Sequence, residues 1–267
     1  MITANSIATV SAMGHLDDLA TWRHDLRRAT AMLTRLPAGR GLPPRGAAPA
    51  RAFPLVGALV GLGGALVLWL GDGLGLPAML AALGAVGTTI LMTGALHEDG
   101  LADVADGFGG AFERARKLAI MRASDIGTYG VLALMGSVAA RVGALGALAR
   151  HDLWAAAAAL IAAHALARAM MPPVMAVLPL ARDDGLAAGV GRATRAHAGA
   201  ALGLGALIGF ATLGLATGAA ALLAAGAATV LMARLARAQI GGYTGDVLGA
   251  CEQTAEVAVL LAAAALS

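Results

Sequence analysis

Of 267 residues, 59% are hydrophobic and 13% charged, and the mean hydropathy of +0.77 excludes an ordinary soluble domain. The apolar content is mostly Ala, Leu, Gly and Val with 3% aromatics, a small-residue mix that lets helices approach closely inside a bilayer. The isoelectric point near 9.7 comes with no basic stripe and no recognisable nucleic-acid module, so nucleic acid is not an expected partner, and a single cysteine, Cys251, rules out an intrachain disulfide or a cysteine-cluster metal centre.

Residues 1–52 are polar and Arg-rich and lack the apolar core and cleavage site of a removable leader. Within them "RRATAMLTRLPAG" reads as an amphipathic segment lying along the membrane surface and stopping at Pro37. Residues 53–267 read as a polytopic transmembrane domain. Runs long enough to span, about 20 residues each, occupy 53–71, 76–96, 129–149, 153–178, 199–216 and 218–236, with a seventh near 247–266. "GDGLGLP" at 71–77 and "ATGAA" at 216–220 read as tight turns, and 97–128 and 179–198 as longer polar loops. The expected fold is an all-α integral membrane protein of about six to seven transmembrane helices.

With the N-terminus inside, the positive-inside rule is met: sixteen of the 19 Lys and Arg residues fall on the cytoplasmic side. Arg150 lies outside, and Arg141 and Arg168 fall within spans, where an unpaired guanidinium costs several kcal/mol. Two readings are open for that pair: burial against partners or snorkelling to an interface, and lining a substrate cavity, the latter more for Arg168. The same layout puts "HEDGLADVADGFGG", "MRASDIGTYG", "ARDDGLAAGVGRATR" and "IGGYTGDVLGA" on one face, which suggests a cytoplasm-facing enzyme site rather than a pore.

In "LHEDGLADVADGFGG", Asp99, Asp103 and Asp106 are spaced four and then three, so on a helix they share one stripe with Glu98 on its shoulder. Carboxylates crowded in this way repel one another and call for a cation. Oxygen-only ligands suit Mg²⁺, which commonly takes one or two carboxylates plus substrate phosphates. The alternative is a solvated helix start with acidic residues favouring the dipole, against which stand Gly100 and Gly107. His97 is either a ligand or a hydrogen-bonding structural residue. Arg114, Arg116, Lys117 and Arg122 follow as a candidate phosphate clamp, although any cytoplasmic loop carries such charges. Gly127, Gly130, Gly241, Gly242 and Gly245 are candidates for backbone approach to phosphate or simple helix caps, and Asp246 and Glu256 are acidic residues at or inside a span.

"TGALHEDGLADVADGFGG", "ERARKLAIMRASDIGTYGVLAL" and "GGYTGDVLGA", supported by "TAMLTRLP", "FPLVGALVG", "ARAMMPPVMAVLPLARDDGL" and "CEQTAEVAVLL", resemble the cobalamin synthase (adenosylcobinamide-GDP ribazoletransferase) family in order from about Leu26 onward. The resemblance implies transfer of the cobinamide phosphoryl group from adenosylcobinamide-GDP to α-ribazole or its 5′-phosphate, with release of GMP and a requirement for Mg²⁺. It implies that Glu98, Asp99, Asp103 and Asp106 hold the metal and that Asp103, Asp106 and Asp246 take part in catalysis. Arg114, Lys117, Arg122, Asp125, Arg168, Gly242, Gly245 and Glu256 would bind substrate. The bacterial inner membrane is the expected location, with membrane lipid, other cobalamin-pathway enzymes and a second copy of the chain as expected partners. "DVADG" also opens the CDP-alcohol phosphotransferase signature, but the Ala-Arg pair and the later Gly and Asp positions are missing, so lipid synthesis is the runner-up. A transporter would place acidic residues near the midplane of several helices, whereas most here lie at one edge.

Overall fold

The computed structural model describes residues 4–39 and 46–267; Arg40 and Arg45, expected on the inner face, lie outside them. In chain order it forms α1 (Ala4–Leu33), a 3-10 helix (Ala48–Ala52), α2 (Phe53–Gly73), α3 (Ala78–Thr93), α4 (Leu96–Gly110), α5 (Arg114–Ile120), α6 (Thr128–His151), α7 (Leu153–Ala169), α8 (Met171–Val177), α9 (Gly185–Val190), α10 (Arg195–Ile240) and α11 (Gly245–Ala265). The described residues include no extended strand; one isolated parallel bridge joins Leu180 to Tyr243. The expected all-α membrane architecture is therefore observed. Among the described residues, five helices are long and apolar enough to cross a membrane, and the α3–α4 pair raises the number to six if its two bent members make one span.

The largest departure from the expected spans is α10, where one 46-residue helical element replaces the pair 199–216 and 218–236. A straight helix of that length would run roughly 69 Å at 1.5 Å per residue, more than twice the hydrocarbon thickness. It is not straight. Gly214 adopts φ 72°, ψ −178°, and a Cβ added at Gly218 would lie 3.2 Å from both the Gly209 carbonyl oxygen and the Phe210 Cα. Residues nine apart in a continuous helix cannot meet, so the chain doubles back. Both runs are present, and the reversal begins at Gly214, ahead of the expected turn at 216–220, because only there does a glycine supply the left-handed φ.

A second bend sets the site. Gly94 and Ala95 both have positive φ, 65° and 57°, and the axis changes by 89° between α3 and α4. Ala in that region costs roughly 1–2 kcal/mol, so packing elsewhere must hold α4 in place. The acidic segment expected as part of a loop is thus a helix of its own, running antiparallel beside the first half of α6, with Glu98 at Arg141 and Asp106 at Gly127 and Gly130. The N-terminal helix docks rather than standing apart: Arg51 Nε donates to Asp25 at 2.8 Å and stacks 4.0 Å from the Trp22 ring centroid.

α7 is the central helix, packed against α2, α6, α10 and α11 through a nearly continuous buried run from Ala162 to Ala169. Where α4, α6, α7 and α11 meet, the apolar core gives way to a polar network. Arg141 Nη1 reaches Glu98 at 3.0 Å and Glu256 at 3.4 Å. Arg168 Nη1 reaches Glu252 at 2.5 Å and His164 Nδ1 at 3.0 Å. Gln253 donates to Glu98 at 3.2 Å and to Glu252 at 3.0 Å, and accepts from Ser137 at 3.0 Å. All of these residues are buried. The two intramembrane arginines are therefore paired with buried carboxylates.

Removing one member leaves the rest uncompensated in a low-dielectric interior, at a cost of about 3–5 kcal/mol. Arg141→Met is expected to lower the thermal midpoint of the detergent-purified protein sharply, and Arg141→Met/Glu256→Gln to lower it less than the two single changes added together. Additive changes would mean that the pair does not interact.

Candidate active site

α4 and α11 cross with almost no side chain between them. A Cβ on Gly100 would lie 2.8 Å from the Asp246 carbonyl oxygen and 2.9 Å from its Cα, and one on Gly249 would lie 3.1 and 3.2 Å from the oxygen and Cα of His97. Any larger residue would push the helices apart. The crossing brings Asp246, in the first turn of α11, to the acidic stripe. Asp103 is half-buried and feels the charges of Asp246, Asp99 and Asp106, in that order, opposed by Arg182. Asp246 Oδ2 accepts from Thr244 Oγ1 at 3.0 Å and lies 3.4 Å from Arg182 Nη2. Thr244 in turn caps α11, accepting from the Val247 amide at 3.2 Å.

The stripe itself divides. Asp99 is exposed and Asp103 half-buried, and neither has a hydrogen-bond donor among the described residues. Asp106 is buried and turns to the start of α6, where its two oxygens accept from the amides of Gly127 at 2.7 Å and Gly130 at 2.9 Å. It ties α4 to α6 by satisfying amides that a helix start leaves open. Glu98 sits on the opposite side of α4 and enters the buried network, away from Asp99 and Asp103. Arg168 and Glu256, expected to touch substrate, belong to the same network.

The basic residues are also largely engaged. Arg114 donates to the carbonyls of Ile240 at 2.7 Å and Ala181 at 2.6 Å, clamping two loops together. Lys117 is buried and bonded to Gln239. Arg122 pairs with Asp184 at 2.5 Å on the surface, and Asp125 is exposed nearby. Gly242 lies against the Pro179 carbonyl, where the Tyr243 amide donates to Pro179 and the Ala181 amide to Tyr243, each at 2.9 Å. Gly245 opens α11 just before Asp246. Burial pushes the Tyr243 hydroxyl above its usual pKa against the opposing pull of Arg192, so it stays a neutral donor toward the Gly191 carbonyl at 3.4 Å. All four motif-bearing segments therefore converge, and Asp99, Asp103, Asp246 and Arg182 remain at their meeting point. Arg182 and Thr244 are not among the site residues expected from the sequence; the acidic "RDDG" and the "YTGD" at a helix start are the signals it carries for them.

A divalent cation fits this donor set. Asp99, Asp103 and Asp246 offer oxygen only, and two of the three lack any hydrogen-bond donor among the described residues. Their oxygens do not form a closed cage, which matches the habit of Mg²⁺ to complete its shell with water and substrate phosphate. Among the described residues, the ligand atoms that lie within 4.8 Å of one another belong to His164, Glu252 and Glu256. There the guanidiniums of Arg168 and Arg141 already supply the positive charge, and a further cation beside them is disfavoured.

The family model described as cobalamin-5-phosphate synthase matches residues 25–264. An adenosylcobinamide-GDP ribazoletransferase of Bradyrhizobium diazoefficiens is 50% identical over 244 residues, covering 90% of this chain and 93% of the relative. Relatives of the same name from Azorhizobium caulinodans and Mesorhizobium japonicum are each 44% identical, over 89% and 96% of this chain and 94% and 95% of their own lengths. No solved structure matches the chain. The chain belongs to the cobalamin-5-phosphate synthase family.

Proposed function

We propose that this protein is an adenosylcobinamide-GDP ribazoletransferase that joins adenosylcobinamide-GDP to α-ribazole or α-ribazole 5′-phosphate and releases GMP. The observation that carries the reading at the level of chemistry is the Gly100–Gly249 crossing, which sets Asp246 across from Asp99 and Asp103. In the reaction a ribose hydroxyl of the acceptor attacks the cobinamide-bearing phosphorus, the bond from that phosphorus to the bridging oxygen breaks, and GMP leaves with the electron pair. Asp99 and Asp103 would hold Mg²⁺, which when bound neutralises charge on the pyrophosphate and the leaving GMP.

Asp246 is the proposed acceptor of the hydroxyl proton. Thr244 and Arg182 both contact its Oδ2, which fixes the carboxylate and leaves Oδ1 free to face the acceptor. A positioned base contributes typically 10²–10⁴-fold. Asp106 has a supporting role, holding the α6 N-terminus against α4, and Arg114 and Lys117 hold the loops that carry Arg182 and Asp246. The site lies on the face that carries most of the Lys and Arg residues, and we place that face in the cytoplasm and the protein in the inner membrane.

The direct test is GMP release by detergent-purified protein given adenosylcobinamide-GDP, α-ribazole and Mg²⁺. Wild type is expected to turn over and to stop when the metal is chelated; an inert wild type that instead consumes a CDP-linked lipid would replace this reading with lipid synthesis. Asp246→Asn should bind both substrates and lose turnover by at least about 100-fold, and full turnover would remove Asp246 from the role of base. Asp106→Ala should lower the thermal midpoint, since losing such a cap costs about 0.5–2 kcal/mol, whereas Asp103→Ala should leave the midpoint near that of wild type and abolish GMP release. The reverse pattern would make Asp106 the functional carboxylate.

A further inference from the structure

The string "TAMLTRLP" carries part of the family resemblance, yet neither the ionic network nor the acidic site uses it. In the fold it ends α1, and the Arg35 amide donates to the Met92 carbonyl at 2.8 Å, pinning the chain against the last turn of α3. Beside this contact lies a cavity of about 430 Å³, lined by Thr34, Arg35, Thr93, Gly94, Ala95 and Asp99 among others. Its volume falls within the usual range of small-molecule sites. The left-handed turn that bends α3 into α4 lines it, and the stem of Arg35 crosses over Gly94.

The cavity is chemically two-sided. Asp99, on the edge of the acidic stripe, stands on one wall, and Arg35 stands on another, exposed and without an ion-pair or hydrogen-bond partner for its guanidinium among the described residues. A guanidinium offers a planar fork matched to phosphate oxygens, while Asp99 accepts the cation that accompanies such a ligand. A neutral or cationic occupant would leave Arg35 unused, and an apolar one would desolvate both charges.

Building on the transferase reading, we propose that this cavity binds the nucleoside-diphosphate part of the donor and that Arg35 is a substrate-binding residue for its phosphates. The N-terminal helix is then part of the active site. Its end supplies Ala31 and Met32 to the lining, and Thr34 and Arg35 follow directly after it, while Arg51 holds the helix to the core through Asp25 and Trp22.

The test is equilibrium binding of GDP and of guanosine, each with Mg²⁺, to the detergent-purified full chain, beside KM values for both substrates. Arg35→Gln is expected to weaken GDP binding and raise the donor KM by about tenfold, the scale of one charge-assisted phosphate contact, with the α-ribazole KM and guanosine binding unchanged. Arg35→Lys should recover part of the loss, and the thermal midpoints should agree, since the side chain is exposed. If Arg35→Gln binds GDP like wild type while wild type turns over both substrates, the inference falls and the transferase reading stands. A rise confined to the α-ribazole KM would also overturn it, by assigning the cavity to the acceptor. A wild type that neither binds GDP nor releases GMP would overturn the transferase reading and the inference together.

Discussion

The position of α4 depends on ion pairing beneath it. A 15-residue helix of low apolar content, entered through two left-handed residues, does not hold its place by burial alone. Glu98 and His97 anchor it from below: Glu98 pairs with Arg141 of α6 and accepts from Gln253 of α11, and His97 lies near Glu252 and Arg168. Arg168 in turn carries the pairing into α7. Charged groups are expensive in such an interior unless they are paired. The network therefore favours one arrangement of four helices, because any shift that separates a guanidinium from its carboxylates exposes an uncompensated charge.

The geometry of the site follows from that anchoring. With the lower face of α4 held, its upper face carries Asp99 and Asp103 at a fixed height, and the crossing at Gly100 and Gly249 allows the first turn of α11 to reach them. Asp106 extends the same rigidity sideways to α6, while Arg114 and the Leu180–Tyr243 bridge join the loops that carry Arg182 and Asp246. Carboxylates that repel one another are thus held together by contacts made elsewhere. Such preorganisation is what the proposed binding of a cation and a phosphorylated ligand requires.

Much of this was legible in the sequence because spans and stripes are local. Apolar runs of spanning length gave the helices, and the spacing of Asp99, Asp103 and Asp106 gave the helical stripe. The shoulder position of Glu98 was read correctly as an angle, but an angle does not reveal what lies on each side. Glu98 meets Arg141, 43 residues away, and Arg141 meets Glu256, 115 residues away; no periodicity encodes such pairs. Asp106 shares the stripe by spacing, yet its side chain serves the N-terminus of α6, where the amides of Gly127 and Gly130 each donate to one of its oxygens. The reversal within α10 was placed a few residues late because "ATGAA" and Gly214 are equally plausible turns by composition, and only the left-handed φ at Gly214 distinguishes them.

Backbone contact at the α4–α11 crossing brings Asp246 to Asp99 and Asp103. The most direct measurement is GMP release by Gly100→Ala beside Gly87→Ala, whose added methyl would meet nothing within 4 Å. Displacement of reacting groups by about 1 Å can cost 10²-fold. A loss of at least about that size is expected for Gly100→Ala in protein that still folds, with Gly87→Ala near wild type. Full activity in Gly100→Ala would show that the crossing does not set the site.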